Sequence, residues 1–197
     1  MRKLSLTVLM SLGLLGCVVE RVDPMSVPLV YAPTPGAPAV SGALSCTVVG
    51  AIEVTDGRAV KALGLRAIQN KPLNAQVSTS SDPTAWVRQG VDSYLSHNGL
   101  KVQGNGPKLA LTLDQLQTSE SVYARASYEA QVAVTAELKS PSGKSCWKGT
   151  VQGKGSNYGY AGSVENYQET LNSALDAASL QLVSPQAFRD ALCHCGD

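Results

Sequence analysis

The sequence predicts an α+β domain, a largely antiparallel sheet with helices packed on one face. Two stretches carry the sheet. Leu109, Leu111 and Leu113, and then Ala130, Val132, Val134, Ala136 and Leu138, alternate with polar or small residues, the period of strands with one buried face. Two other stretches, Trp86–Leu95 and Val164–Leu182, repeat their apolar residues near every 3.6 positions and read as helices covering that face. The order along the chain is strand, helix, a meander of strands, then helices, which places the helices on one side of the sheet.

The domain is preceded by two other segments. Met1-Arg2-Lys3 is basic, Leu4 to Leu15 is uncharged and apolar, and Gly16-Cys17 ends the run. A basic start, a short apolar core and small residues at a cut site form an export signal. A run of about a dozen apolar residues is short of the roughly 20 needed to cross a bilayer, and Glu20, Asp23 and Pro24 end it. Residues 1–16 are therefore assigned to a signal peptide. Residues 17–43 contain Pro24, Pro28, Pro33, Pro35 and Pro38 and show no helical or strand period. They read as a disordered tether, reaching roughly 80 Å if polyproline-like and about 30 Å as a flexible coil. The alternative is an ordered strip on the domain, which Val27, Leu29, Val30 and Tyr31 could support.

The single folded domain is assigned to 44–197. Cys46 to Val54 is β-rich and reads as the first strand. Residues 56–73 have two glycines and no clean period, and are read as loop with room for a turn or short strand. Leu73 to Thr79 reads as a second short strand. Asp82-Pro83 opens a helix, the aspartate capping free N–H groups and the proline fitting the first turn. Trp86, Val87, Gly90, Val91, Tyr94 and Leu95 make its apolar face, and Asn98-Gly99 ends it. A short strand at Leu100–Gln103 and a turn through Gly104–Pro107 lead to the alternating strands. Ser140–Gly143 turns the chain into a strand at Lys144–Lys154, with Trp147 and Val151 on one face. The glycine-rich stretch Gly153–Gly162 is read as a loop before the long helix, and Ser184-Pro185 opens a short last helix with Phe188 and Leu192.

Composition narrows the function classes. The chain has 16 basic and 15 acidic residues. Without residues 1–16 the balance is 14 to 15, which gives no electrostatic case for nucleic acid. No polybasic run offers itself to anionic headgroups, so covalent acyl chains would have to hold a membrane. Four cysteines follow Cys17: Cys46, Cys146, Cys193 and Cys195. In an oxidising compartment they can form disulfides, and the spacing alone does not choose the pairing. One bridge is expected, from Cys46 or Cys146 to the C-terminal pair or between Cys46 and Cys146, and a tail disulfide is the reading set against a metal clip. Cys193-His194-Cys195 is tighter than usual zinc-ligand spacing; no metal and no cofactor are expected.

Catalytic patterns are few. His97 and His194 are the imidazoles, and no GxSxG, P-loop or HExxH occurs. Asp114 and Glu129 are the carboxylates that an enzyme of the envelope could use if the fold joined them. Asn157, Tyr158 and Tyr160 sit among glycines and serines and are taken as a partner-binding loop, because exposed tyrosine in such a setting suits a contact surface. Tyrosines folding back on the sheet edge is the competing reading. Asp56-Gly57-Arg58 reads as a turn with an ion pair.

Leu14-Leu15-Gly16-Cys17 resembles the lipobox of bacterial lipoproteins. That resemblance implies cleavage before Cys17, a diacylglycerol on its sulfur and acylation (palmitate or a similar chain) of the new amino group. Val18, where aspartate would imply inner-membrane retention, implies the inner leaflet of the outer membrane, facing the periplasm. Beyond the leader, Val54–Arg58 (VTDGR), Val91–Leu116 (VDSYLSHNGLKVQGNGPKLALTLDQL), Gly143-Lys144 and the long C-terminal helix make the chain resemble the YajG-like family of uncharacterised bacterial lipoproteins. The family carries no catalytic residues over to this chain. A looser resemblance, through the early strand with Asp56-x-Arg58 and Trp86 near a helix start, is to auxiliary lipoproteins of membrane lipid-transport systems. The expected function is a non-catalytic envelope binding or assembly module. It would be anchored through Cys17 and act on an envelope protein partner.

Overall fold

The computed structural model describes residues 24–38, 46, 48–67, 74–104 and 106–195. The expected signal peptide and Cys17 lie outside the described residues. The alternating stretches form three long strands: β7 (Lys108–Val122), β8 (Ala126–Lys139) and β9 (Ser145–Gly159), each antiparallel to the next. In β7 the alternation slips, because Leu113 faces Val134 and the next pair is Gln115 with Ala133, so Asp114 bulges out. The extra residue restores the phase, so that Leu116, Thr118 and Glu120 continue the buried face after Leu113.

The strand expected from Cys46 divides into β2 (Val48–Val49) and β3 (Ile52–Asp56). Within 56–73 lies β4 (Gly64–Ala67), and the second short strand is β5 (Asn74–Ser78). Helix α1 (Pro83–His97) begins as its sequence dictates: the Asp82 carboxylate accepts from the Thr84 hydroxyl and the Thr84 N–H, each at 2.8 Å, which together hold that carboxyl below its ordinary range. It ends where Gly99 takes a φ of +83°. Then come β6 (Lys101–Val102), helix α2 (Val164–Val183) and helix α3 (Gln186–His194). Ser163 caps α2 by accepting from the Asn166 N–H. The main sheet runs β1-β5-β4-β7-β8-β9, where β1 is Met25–Ser26. Strand β3 shares with β4 the free edge of β7, β3 alongside Leu109–Leu113 and β4 alongside Thr118–Glu120, both parallel to it. The sheet is therefore mixed, with the antiparallel meander as its body.

The three helices of the described residues lie on one face. Helix α2 packs on β8 and β9, α1 on β3 and α2, and α3 on the start of β9. Leu109, Leu111, Leu113, Val132, Ala136 and Leu138 meet Leu171, Leu175, Val87 and Val91 in one core. Each fully buried large aliphatic side chain contributes about 1.5–3 kcal/mol.

Two expectations are corrected. Gly153–Gly162 is not a loop, because β9 continues to Gly159. Gly153 and Gly155 point at α2. A Cβ built on Gly153 would lie 1.8 Å from the Ala174 carbonyl oxygen, and one on Gly155 2.2 Å from that of Thr170. The glycines let helix and strand backbones touch, a use of strand glycine distinct from flexibility.

The second correction concerns 24–38, read as part of a disordered tether. It is a strip laid over α1 and α2. Val27 is fully buried, as nearly are Leu29 and Tyr31. Gln168, Asn172 and Asp176, spaced by one helical turn on α2, hold its backbone and side chains. The Gln168 amide donates to the Pro28 carbonyl at 2.9 Å and Asn172 to that of Val30 at 3.2 Å. The Asp176 carboxylate accepts from the Tyr31 hydroxyl at 2.7 Å and the Thr34 N–H at 2.9 Å. Burial and that carboxylate push the Tyr31 hydroxyl well above its ordinary pKa. Proline removed the periodic signal from this segment, yet its few apolar side chains still bury.

Candidate functional site

The meander has a covered face and an open one. On the open face stand Gln117 and Ser119 from β7, Glu129 and Gln131 from β8, and Lys154 and Ser156 from β9, lining a shallow depression of about 460 Å³. Successive side chains of a strand point to opposite faces, so these polar residues are the partners in alternation of the apolar core. Farther along, Asp114 accepts from the Thr135 hydroxyl at 2.7 Å, and Thr135 and Thr150 share a bond at 3.1 Å.

The two candidate carboxylates do not meet. Asp114 sits at the level of Thr135, and Glu129 is six residues earlier on β8, about 20 Å away at the rise of a strand. Paired carboxylates that share a substrate bond stand within about 5–10 Å.

The tyrosines expected as a partner-binding loop are split by the strand. Asn157 faces inward, donating to Glu169 at 2.7 Å and Asn166 at 3.3 Å, and so ties β9 to α2 instead of being displayed. Tyr158 is on the open face, 59 % exposed, with the Arg125 guanidinium 4.5 Å above its ring, a cation–π contact. Tyr160, just past the strand, is 90 % exposed. Tyr123 in the β7–β8 turn, unassigned in the sequence reading, is 93 % exposed. The signal for it was present: Tyr123-Ala-Arg125 stands between two alternating strands, where a hairpin tip must fall. Because Ala126 pairs with Gly159, the tip carrying Tyr123 and Arg125 and the strand end carrying Tyr158 and Tyr160 are side by side.

Beneath this end lies a buried acid. Glu120 accepts from the Tyr167 hydroxyl at 2.8 Å and the Gly162 N–H at 2.7 Å. The Tyr128 hydroxyl donates its one proton to the Tyr160 carbonyl and lies 3.3 Å from Glu120, and its ring meets that of Tyr167 edge-on at 4.8 Å. Burial, then the Glu120 carboxylate, drives the Tyr167 hydroxyl far above its ordinary pKa. A carboxylate with a donor on each oxygen is satisfied, so Glu120 fixes the Tyr160–Ser163 turn to the sheet. The Asp56–Arg58 pair expected from sequence is present as well, at 2.9 Å, with Arg58 buried and Lys61 3.1 Å from the same carboxylate.

The cysteines lie at the opposite end. Cys46 bridges to Cys193 and Cys146 to Cys195, with Cα–Cα separations of 5.2 and 5.7 Å. Both members of the Cys193-His194-Cys195 clip are thus in disulfides, leaving no thiolate there for a metal. Among the described residues no cluster of three or more histidine, cysteine or acidic groups could hold a metal ion. No described helix is long and apolar enough to cross a membrane.

The chain can be set beside known proteins. The family model for an uncharacterized lipoprotein matches residues 35–192. No curated protein matches the chain. Among solved structures, it is similar to a protein of Xanthomonas campestris, with 10 % identity and a TM-score of 0.47 over 86 % of this chain and 95 % of that one. It is also similar to a minor lipoprotein of Acinetobacter baumannii, with 11 % identity and a TM-score of 0.36 over 76 % and 96 %. The family match spans well over half of the sequence and includes the VTDGR and helix-to-strand segments; the chain belongs to the YajG-like family of uncharacterized lipoproteins.

Proposed function

We propose that the protein is a non-catalytic binding or assembly module of the cell envelope. It is anchored by lipid on Cys17 at the inner leaflet of the outer membrane and engages an envelope protein partner through the open face of the β7–β8–β9 meander. The observation that carries this reading is the one-sidedness of the sheet. Three strands of 14 or 15 residues present a continuous face of glutamine, serine, threonine and paired charges, while every described helix lies on the other side. Such a face carries hydrogen-bonding groups on a backbone that cannot collapse, which keeps the ordering cost of association low. The two disulfides support an exported domain, since bridges of this kind persist in oxidising compartments.

The test is photo-crosslinking in living cells from Gln131 and Lys154 on the open face, with Arg88 on the solvent side of α1 as control. A discrete protein adduct from the first two and none from Arg88 is the expected result. Adducts from Arg88 alone, or none from the open face, would refute the assignment. If the captured protein belongs to a lipid-transport assembly, the module is an auxiliary subunit of that system.

A further inference from the structure

The strip over the helices has a consequence for orientation. It begins at Met25, whose strand β1 is parallel to β5; β5 is antiparallel to β4, and β4 is parallel to β7. Strand β1 therefore runs opposite to β7. Its first residue is level with Thr118, four residues short of the end of β7, and the chain enters it from the end that carries Tyr123, Tyr158 and Tyr160. Side chains give the same placement. The Arg66 guanidinium donates to the Met25 sulfur at 3.8 Å, and the same group lies 2.6 Å from where a Cβ on Gly162 would stand. One guanidinium thus separates the first residues of the strip from the turn that displays Tyr160.

Only six residues lie between Cys17 and Pro24, seven Cα–Cα steps. At full extension they reach about 25 Å, against the roughly 80 Å available if the whole segment to residue 43 were free. The domain cannot stand far from a membrane that holds Cys17, and the end nearest to it is the tyrosine end. The disulfide end is about 45 Å farther along β9 at the rise of a strand. What the near end shows is chemically apt. Tyr123 and Tyr160 are almost wholly exposed and Tyr158 more than half, with Arg125 among them. Tyrosine, with an apolar ring and a polar tip, is enriched at the level of lipid headgroups, and arginine extends its charge toward that level from an apolar stem. Glu165, exposed in the first turn of α2 at this same end, balances the charge of Arg125, so the surface suits a bilayer without relying on anionic lipid.

We propose that Tyr123, Tyr158, Tyr160 and Arg125 form a membrane-contact surface that seats this end of the domain in the headgroup layer beside its own lipid anchor. The surface rests on the reading of Cys17 as the lipidated residue. Seated this way, the strands rise from the bilayer and hold the open face of the meander upright, turned along the membrane toward a partner.

The experiment uses the full mature protein extracted from cells, with its mass measured first. An acyl mass on the peptide beginning at Cys17 establishes the anchor; its absence overturns the anchor reading and this proposal with it. The acylated protein, as Tyr160→Trp, Tyr123→Trp and Ser142→Trp variants, is then placed in vesicles of phosphatidylethanolamine and phosphatidylglycerol, with and without brominated phosphatidylcholine. Emission of the unsubstituted protein is subtracted as background. The expected result is about a twofold loss of emission at positions 160 and 123, where aromatic side chains sit at headgroup depth, and no loss at 142 in the far β8–β9 turn. The same loss in vesicles lacking phosphatidylglycerol is also expected. Equal emission at all three positions, or loss only at 142, overturns the proposal while leaving the anchor in place. So does in-cell crosslinking from position 160 into a discrete protein instead of lipid.

Discussion

Replacing Gly153 by alanine adds one methyl group, and the structure sets its cost. The new Cβ would be 1.8 Å from the Ala174 carbonyl oxygen and 2.4 Å from the Ala178 nitrogen. Both are backbone atoms in the middle of α2, so no side chain can swing aside. To reach ordinary contact the helix must move off the sheet by more than 1 Å, and a gap of 0.5–1 Å already forfeits about a quarter to a half of the dispersion well. Tyr167, Leu171, Leu175 and Leu182 anchor α2 in the core, each worth about 2 kcal/mol of burial. Losing about that fraction of their contacts costs about 2–4 kcal/mol. For a domain of this size the melting temperature should fall by about 4–16 °C. Thermal unfolding followed by circular dichroism on the oxidised protein measures it, with Ser156→Ala on the open face as a control expected to stay within about 0.5 kcal/mol. Gly155→Ala should behave like Gly153→Ala, and the double variant should cost little more than either, because one helix displacement clears both clashes. A Gly153→Ala protein that melts within about 2 °C of the parent would refute the close-approach reading of the glycines.

Other outcomes follow from the same geometry. Removing the Cys146–Cys195 bridge by a double serine substitution frees a chain of separation 49, for which loop entropy gives about 4 kcal/mol; the melting temperature should drop by roughly 10 °C, and dithiothreitol, which also opens Cys46–Cys193, should lower the parent by more than this and lower the variant further. Tyr31→Phe leaves the buried Asp176 carboxylate with one fewer donor and should cost about 1–3 kcal/mol, with faster proteolysis confined to residues 24–38 as its signature. The Asp56 carboxyl is held well below its ordinary range by hydrogen bonding to Arg58. A depressed folded pKa stabilises above the ordinary value of about 4 and loses that contribution as pH falls toward the folded pKa. Asp56→Asn should therefore flatten the acid limb of stability below pH 4 and destabilise at neutral pH by about 2–3 kcal/mol, since buried Arg58 loses its partner.

Periodicity was legible wherever local chemistry and tertiary role agreed. The Asp82-Pro83 start of α1, the Asn98-Gly99 stop, the alternating strands, the periodic α2 and the Asp56–Arg58 pair are all short-range devices, and each stands where its residues indicate. The misreadings came from residues with two uses. Glycine at 153 and 155 signals a loop in isolation, yet serves here as the clearance for a helix that is distant in sequence. Proline between 24 and 38 hides a strip whose buried contacts come from α2, more than a hundred residues later. The β7 bulge at Asp114 shifts the alternation, so Leu116 falls out of phase until the register with β8 is known.

The site divides in the same way. Tyr158 and Tyr160 were visible as aromatics in a small-residue setting, and Asn157 was grouped with them because sequence neighbours look alike before a strand assigns them to opposite faces. Tyr123 and Arg125 join the tyrosines only through the pairing of Ala126 with Gly159. By itself the sequence determined the helix boundaries and the meander, because these follow from patterns within a few residues. The tertiary structure alone decided the disulfide pairing, the docking of the N-terminal strip and the gathering of three tyrosines beside the point where the strip begins. Those depend on which distant segments share an edge or a face, and no local pattern encodes that.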